Sequence, residues 1–172
     1  MANIPRVAKS EIPDFYHSDY EQLPESDGLT ALMEQQRLWS ELLAGIPDGR
    51  GSYRYAAEKW TLREVIGHVS DAERVFAYRL LRIARGDSTP LAPFDENAYV
   101  PQGRFERRAM GDLLEELALV RASTLALVKP LDAEQLGRFG TASGRPTSAS
   151  GLAWLIAAHQ RHHRVLVAER YL

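Results

Sequence analysis

Residues 61–86 read TLREVIGHVSDAERVFAYRLLRIARG. Thr61 and Glu64 stand three apart in the pattern of a capping box, in which each side chain satisfies the other residue's backbone donor. Leu62, Val65, Val69, Ala72, Phe76, Leu80 and Ile83 then recur at three- and four-residue steps, giving one apolar stripe of about six turns that ends at Gly86. The spacing predicts an amphipathic helix. Three more segments behave alike: residues 27–45 (Leu29, Leu32, Met33, Gln36, Trp39, Leu42, Leu43), residues 109–129 (Leu113, Leu117, Val120, Thr124, Leu127, Val128), and residues 150–169 (Leu152, Ile156, His159, His163, Leu166). With no strand-like alternation between them, they predict an all-α four-helix bundle.

The connections are long. Residues 1–26 mix Pro, Tyr, Asp and Glu without periodicity and are expected to form an extended arm beside a bundle domain of residues 27–172. Residues 46–60 carry two turn signals and an aromatic cluster. Residues 87–107, DSTPLAPFDENAYVPQGRFER, hold Pro90, Pro93, Pro101 and Gly103 and are expected to be irregular. A connection of that length in a small domain is often functional. A short helical turn is expected at 132–136, followed by a Gly/Ser/Thr-rich loop over 137–150.

The chain has 172 residues, 45% hydrophobic and 26% charged, which is ordinary for one globular domain. Its 21 basic and 23 acidic residues leave a net charge of -2 and no field to attract nucleic acid. It contains no cysteine, so disulfides, thiolate ligands and a cysteine nucleophile are excluded, and any metal must be held by His, Asp or Glu. Nothing resembles a signal peptide or a membrane span, and a cytoplasmic location is the expectation.

His159 and His163 share the interior stripe of the last helix. Four residues turn a helix by about 400°, so the two imidazoles lie about 40° and one turn apart and can reach a common ion. His162 falls off that stripe. His68 flanks the stripe of the second helix between Val65 and Ala72 and leans inward, the remaining candidate for a third nitrogen. Three neutral imidazoles with an open position suit zinc, with nickel or iron(II) as substitutes. A hydrogen-bonded core histidine is the alternative for each.

KWTLREVIGHVSDAERVFAYRLLRIARGD (59–87), PFDENAY (93–99) and LAWLIAAHQRHHRVLVAERYL (152–172) together resemble the DinB superfamily of YfiT-like proteins, in matching order along nearly the whole chain. The resemblance implies an up-down bundle of DinB/YfiT type with long connections, metal binding by His68, His159 and His163, a non-binding His162, and a homodimer. It also implies kinship with thiol-dependent transferases, in which a small cytosolic thiol attacks an electrophile.

Other groups have two readings each. Asp71, one turn after His68, is either an acceptor that orients the imidazole or a solvated residue. Glu73 is expected to face solvent or an arginine on a neighbouring turn. Asp95, Glu96, Asn97 and Tyr99 supply either a general base near the metal or loop caps and an anchor. Arg121 either holds a substrate carboxylate or covers apolar surface with its stem while its head reaches water. Arg104, Arg107 and Arg108 read as a basic loop face. No side chain is assigned a catalytic role, and no serine sits in a recognisable nucleophile motif. The readings left open are a metal-dependent enzyme acting on a small molecule (thiol-dependent S-transferase or hydrolase), a non-catalytic metal-binding, stress-associated bundle, and a structural bundle with buried histidines.

Overall fold

In the computed structural model, which describes residues 3–172, the capping box forms: the Glu64 carboxylate accepts from the Thr61 N–H at 2.7 Å while the Glu64 N–H donates to Thr61 Oγ1 at 3.3 Å. The helix it starts, α3, spans Leu62–Ala84. The other elements are α1 (His17–Glu21), α2 (Gly28–Leu43), α4 (Glu96–Gly103), α5 (Met110–Val128), α6 (Ala133–Gly137) and α7 (Ala149–Arg170), with a hairpin of β1 (Phe139–Ala142) and β2 (Arg145–Ser148). The long helices α2, α3, α5 and α7 are the four expected. They form a bundle in which α3 and α7 pack on each other and α2 and α5 flank them.

The α3 stripe is buried throughout, as are Leu152 and Ile156 of α7. In α2 the expected stripe is displaced by a few tens of degrees: Met33 is exposed, whereas Gln35 is buried and accepts from Arg164 at 3.2 Å. A glutamine goes inside because a partner on α7 satisfies it.

Two charged residues lie where the spacing did not put them. Glu73 is fully buried and Arg121 is 2% exposed, so neither reaches solvent. Arg121 Nε and Nη2 donate to the two Glu73 carboxylate oxygens at 2.8 and 2.9 Å, and its Nη1 donates to the Leu32 carbonyl at 2.5 Å. Gln160 donates its amide to Glu73 at 2.6 Å, and the Trp39 indole donates to the Gln160 carbonyl at 3.2 Å. One satisfied network therefore ties α2, α3, α5 and α7 together.

The connections are more ordered than expected. Residues 139–148, read as loop, form an antiparallel hairpin closed by Ser143 (φ 53°) and Gly144 (φ 75°). Two positive φ values in a two-residue turn match the twist of paired strands. Residues 96–103, expected to be irregular, are helical as α4: Asp95 caps the Asn97 N–H at 2.9 Å and starts two turns that run through Pro101, whose missing N–H removes one helical hydrogen bond. Beyond α4 the Phe105 ring packs so closely on Gly67 that a Cβ there would stand 2.3 Å from it. The N-terminal segment lies along α7: Ile4, Ile12, Tyr20 and Leu23 are buried, and the Arg6 guanidinium sits 4.1 Å from the Tyr20 ring centre and 4.7 Å from that of Trp154. No helix among the described residues is long and apolar enough to cross a membrane.

Removing one member of a buried ion pair strands the other, at a cost of about 3–5 kcal/mol, whereas replacing both with apolar residues costs much less. Urea denaturation of Glu73→Leu and Arg121→Met is expected to show losses of that order for each single variant and a smaller loss for the double variant. Additive losses would show that the pair is not coupled.

Candidate metal centre

His68 comes from the second turn of α3, and His159 and His163 from successive turns of α7. The bundle brings one nitrogen of each within 4.8 Å of the others, and all three residues are buried. The two Nε2 atoms of His68 and His159 are 3.1 Å apart. Two imidazoles on one tetrahedral ion, each about 2.0–2.1 Å from it, would be separated by about 3.3 Å, so the donor spacing fits such an ion.

Burial holds all three rings neutral. It is the first cause of the drop in the His68 pKa to about 4, assisted by the His162 charge. It also pushes His159 and His163 well below the usual imidazole range, where the neighbouring histidines add to it. Neutral rings keep lone pairs available to a metal. One of those sites lacks a partner: Nδ1 of His163 is sealed from solvent and makes no hydrogen bond among the described residues. A buried nitrogen left without a partner is costly, and a cation would relieve it.

Aromatic rings wall the cluster. Trp60 lies 4.8 Å from His68 between ring centres, Phe76 lies 5.5 Å from His159, and Tyr16 lies 5.6 Å from His159. The Tyr16 hydroxyl is held protonated far above neutral pH, first by burial and then by the charges of Glu96 and Asp19. A cavity of about 230 Å³ opens on His68 and His159 and is lined by Tyr16, Phe76, Arg79, Phe94 and Glu96. A second cleft, of about 350 Å³, opens on His163 and includes Trp60 and Asn97.

A family model described as the DinB superfamily matches residues 31–167, a span that contains all three histidines, the whole of α3 and most of α7. The chain belongs to the DinB superfamily. As a DinB-superfamily chain it is similar in structure to YfiT from Bacillus subtilis, described as a probable metal-dependent hydrolase with an unusual four-helix bundle topology. The TM-score is 0.75 at 17% identity, covering 96% of this chain and 91% of that one. It is also similar to a mycothiol-dependent maleylpyruvate isomerase, with a TM-score of 0.70 at 19% identity. That match covers 85% of this chain but 61% of the isomerase, so the DinB-superfamily chain spans under two thirds of the latter's length. No curated protein matches the sequence.

The remaining candidates separate cleanly. His162 turns away from the cluster and meets Asp19 of α1 at 3.1 Å. Asp71 accepts from Arg74 at 3.3 Å and makes no hydrogen bond to His68 among the described residues. Asp95 caps α4, and Tyr99 is half exposed against Phe94, while Glu96 and Asn97 each line one of the two openings beside the histidines. Arg108 pairs with Glu116 on the surface, and Arg121 belongs to the buried network, its guanidinium held by Glu73 and the Leu32 carbonyl. Trp60, Tyr16 and Arg79 were not singled out from sequence as site residues. For Arg79 a signal existed, since eleven residues after His68 is about 20° from the same helical face.

Because the unfolded chain takes up protons near the ordinary pKa of 6.5 and the folded site refuses them, stability is greatest above that pH. It is lost as pH falls from about 6.5 toward 4, on the order of 1 kcal/mol per pH unit for each histidine. Urea midpoints of metal-stripped protein are expected to fall across this window, and His159→Leu to flatten the slope. An unchanged slope in His159→Leu would contradict the burial argument.

Proposed function

We propose that this chain is a metal-dependent enzyme that holds one divalent ion with His68, His159 and His163 and acts on a small molecule. The observation that carries the reading is the cluster itself: three buried neutral imidazoles facing one another, one with an unpartnered nitrogen, beside a cavity. The descriptions of YfiT and of the mycothiol-dependent isomerase support it. Zinc or nickel suits an all-nitrogen donor set.

When bound, a divalent ion supplies Lewis acidity and lowers the pKa of a thiol or water that reaches its open position. The chain's own residues then shape the reaction. Trp60, Phe76 and Phe94 exclude bulk water, which strengthens electrostatic effects inside. Tyr16, kept protonated, can donate a hydrogen bond to an oxygen of the substrate. Glu96 stands at the opening as an acceptor for a proton leaving the nucleophile. The chain contains no cysteine, so the nucleophile comes from outside the protein. We favour a low-molecular-weight thiol, and with it a cytoplasmic location, since such thiols stay reduced there. Water in the same role gives the hydrolase reading, for which the YfiT likeness speaks.

Purified protein is expected to carry about one divalent ion per chain by mass spectrometry of metals. His68→Ala, His159→Ala and His163→Ala are each expected to lose it, and His162→Ala to keep it. Retention by all four variants, or equal loss from all four, would sink the assignment. In cobalt-substituted protein, titration with small thiols is expected to raise a sulfur-to-metal charge-transfer band. Its absence with metal still bound would leave hydrolysis.

Self-association is also proposed. Tyr78 (53% exposed), Leu81 (37%) and Leu119 (62%) form an apolar face on the outside of α3 and α5, whereas Tyr20 of the arm is covered by the chain's own Trp154. Exposed apolar patches of this kind mark interfaces. Light scattering is expected to give about twice the chain mass of 19.3 kDa, and Leu119→Lys to restore the monomer. A monomer for the unaltered chain at micromolar concentration would exclude the dimer.

A further inference from the structure

The cavity beside His68 and His159 has a second pole. Arg79 is 5% exposed, yet among the described residues it makes no ion pair. The other buried arginines differ: Arg63 holds Asp48 at 2.6 Å and Arg121 holds Glu73 at 2.8 Å. Arg79 uses one nitrogen, Nη2, to donate to the Ala92 carbonyl at 2.7 Å and to Ser143 Oγ at 3.0 Å. Among the described residues its Nε and Nη1 have no protein acceptor, and neither is sealed from solvent, so N–H groups on both sides of the guanidinium remain open to the cavity it lines. A buried cation without a counter-charge is unfavourable, and it persists where function supplies the anion.

The charged groups around it leave that place open. Glu11 is occupied by the Ser148 hydroxyl and N–H, the latter at 3.2 Å. Arg145 pairs with Asp14 at 3.0 Å on the exposed rim. Glu96 lies at the opening beside Tyr16 and does not reach Arg79. Between the two poles the lining is apolar: the Arg79 guanidinium stands 5.9 Å from the Phe76 ring centre and 5.6 Å from that of Phe94, and Phe76 in turn meets His159 at 5.5 Å. Leu152 and Leu155 complete the lining.

We propose that Arg79 receives the carboxylate of a small organic acid whose apolar body lies against Phe76, Phe94, Leu152 and Leu155 and whose opposite end faces His68 and His159. The free Nε–H and Nη1–H lie on different edges of the guanidinium, and Nη2, common to both of its bidentate edges, is held by Ala92 and Ser143, so the carboxylate is received through a single charge-assisted hydrogen bond. At about 30 Å³ per water-sized volume, the cavity of about 230 Å³ has room for an acid of the size of benzoate. The identity of the reacting end rests on the metal-dependent reading above; the carboxylate contact does not.

The test is a calorimetric titration with benzoate and its neutral isostere benzamide, in metal-loaded and metal-stripped protein, with metal content measured in each sample. Benzoate is expected to bind both forms, and benzamide at least tenfold more weakly. Arg79→Gln is expected to weaken benzoate at least tenfold with metal content unchanged, and Arg79→Lys to weaken it less. Since Arg79 also tethers the hairpin through Ser143, Ser143→Ala serves as the control for a structural role and is expected to leave benzoate binding intact. If Arg79→Gln fails to fold, the side-chain Nε–H resonance of Arg79 in the unaltered protein is read instead, and it is expected to shift with benzoate and not with benzamide. Equal binding of benzoate and benzamide, or a metal-loaded protein indifferent to benzoate, would overturn the proposal and leave the metal centre standing. Benzoate binding by a protein that takes up no metal would do the reverse.

Discussion

Glu73, Arg121 and Gln160 meet at the centre of the bundle, and the rest of the molecule is arranged around satisfying them. Aliphatic contacts between helices tolerate small slides and rotations with little loss, because leucine, valine and alanine packing is not directional. A bidentate guanidinium–carboxylate pair sealed from water tolerates almost none. Glu73 lies five residues after His68 on α3, and Gln160 directly follows His159 on α7. The bond between Gln160 and Glu73, at 2.6 Å, thus sets the register of α3 against α7 close to where the three imidazoles must converge. The Leu32 carbonyl and the Trp39 indole extend the same constraint to α2.

That register creates a buried cluster of imidazoles that are uncharged at neutral pH. Burial keeps each imidazole neutral, and the surrounding rings keep the local dielectric low. Facing nitrogens in such a setting repel one another unless a proton or a cation lies between them, and the buried His163 Nδ1 makes no hydrogen bond among the described residues. The four helices alone would leave this end of the bundle open. It is walled by segments outside them: Tyr16 from the N-terminal segment, Glu96 and Asn97 from α4, and Ser143 from the hairpin turn. The long connections are therefore walls of the site rather than slack between helices. Gly67 is part of this construction, since the missing side chain lets Phe105 seat the segment after α4 on the helix that carries His68.

The helices were legible in the sequence because their signals are local. A capping box, a stripe at 3.6-residue spacing and a proline stop depend on neighbours a few residues away, and α3, α5 and α7 begin and end within a residue or two of where those signals fall. The pairing of His159 with His163 was legible for the same reason. The hairpin carried a weaker signal, the Ser143–Gly144 dipeptide, and its strands are too short for alternation to show. Pro93 before α4 and Pro101 inside it masked two turns that Asp95 caps.

What the sequence could not determine were contacts between residues far apart in the chain. Nothing near Arg121 marks it as Glu73's partner, 48 positions away, and an arginine on an apolar face looks the same whether its head reaches water or a buried carboxylate. Local periodicity alone gave no reason to place His68 beside His159, 91 positions on; resemblance to a family supplied it, and the packing of α3 on α7 brought the two to 3.1 Å. Arg79 gained its meaning only when the hairpin, α4 and α7 enclosed it without supplying a counter-charge. Periodicity is a property of one helix and can be read from its residues, but burial and ionic pairing are properties of the space between helices, which exists only once they have packed.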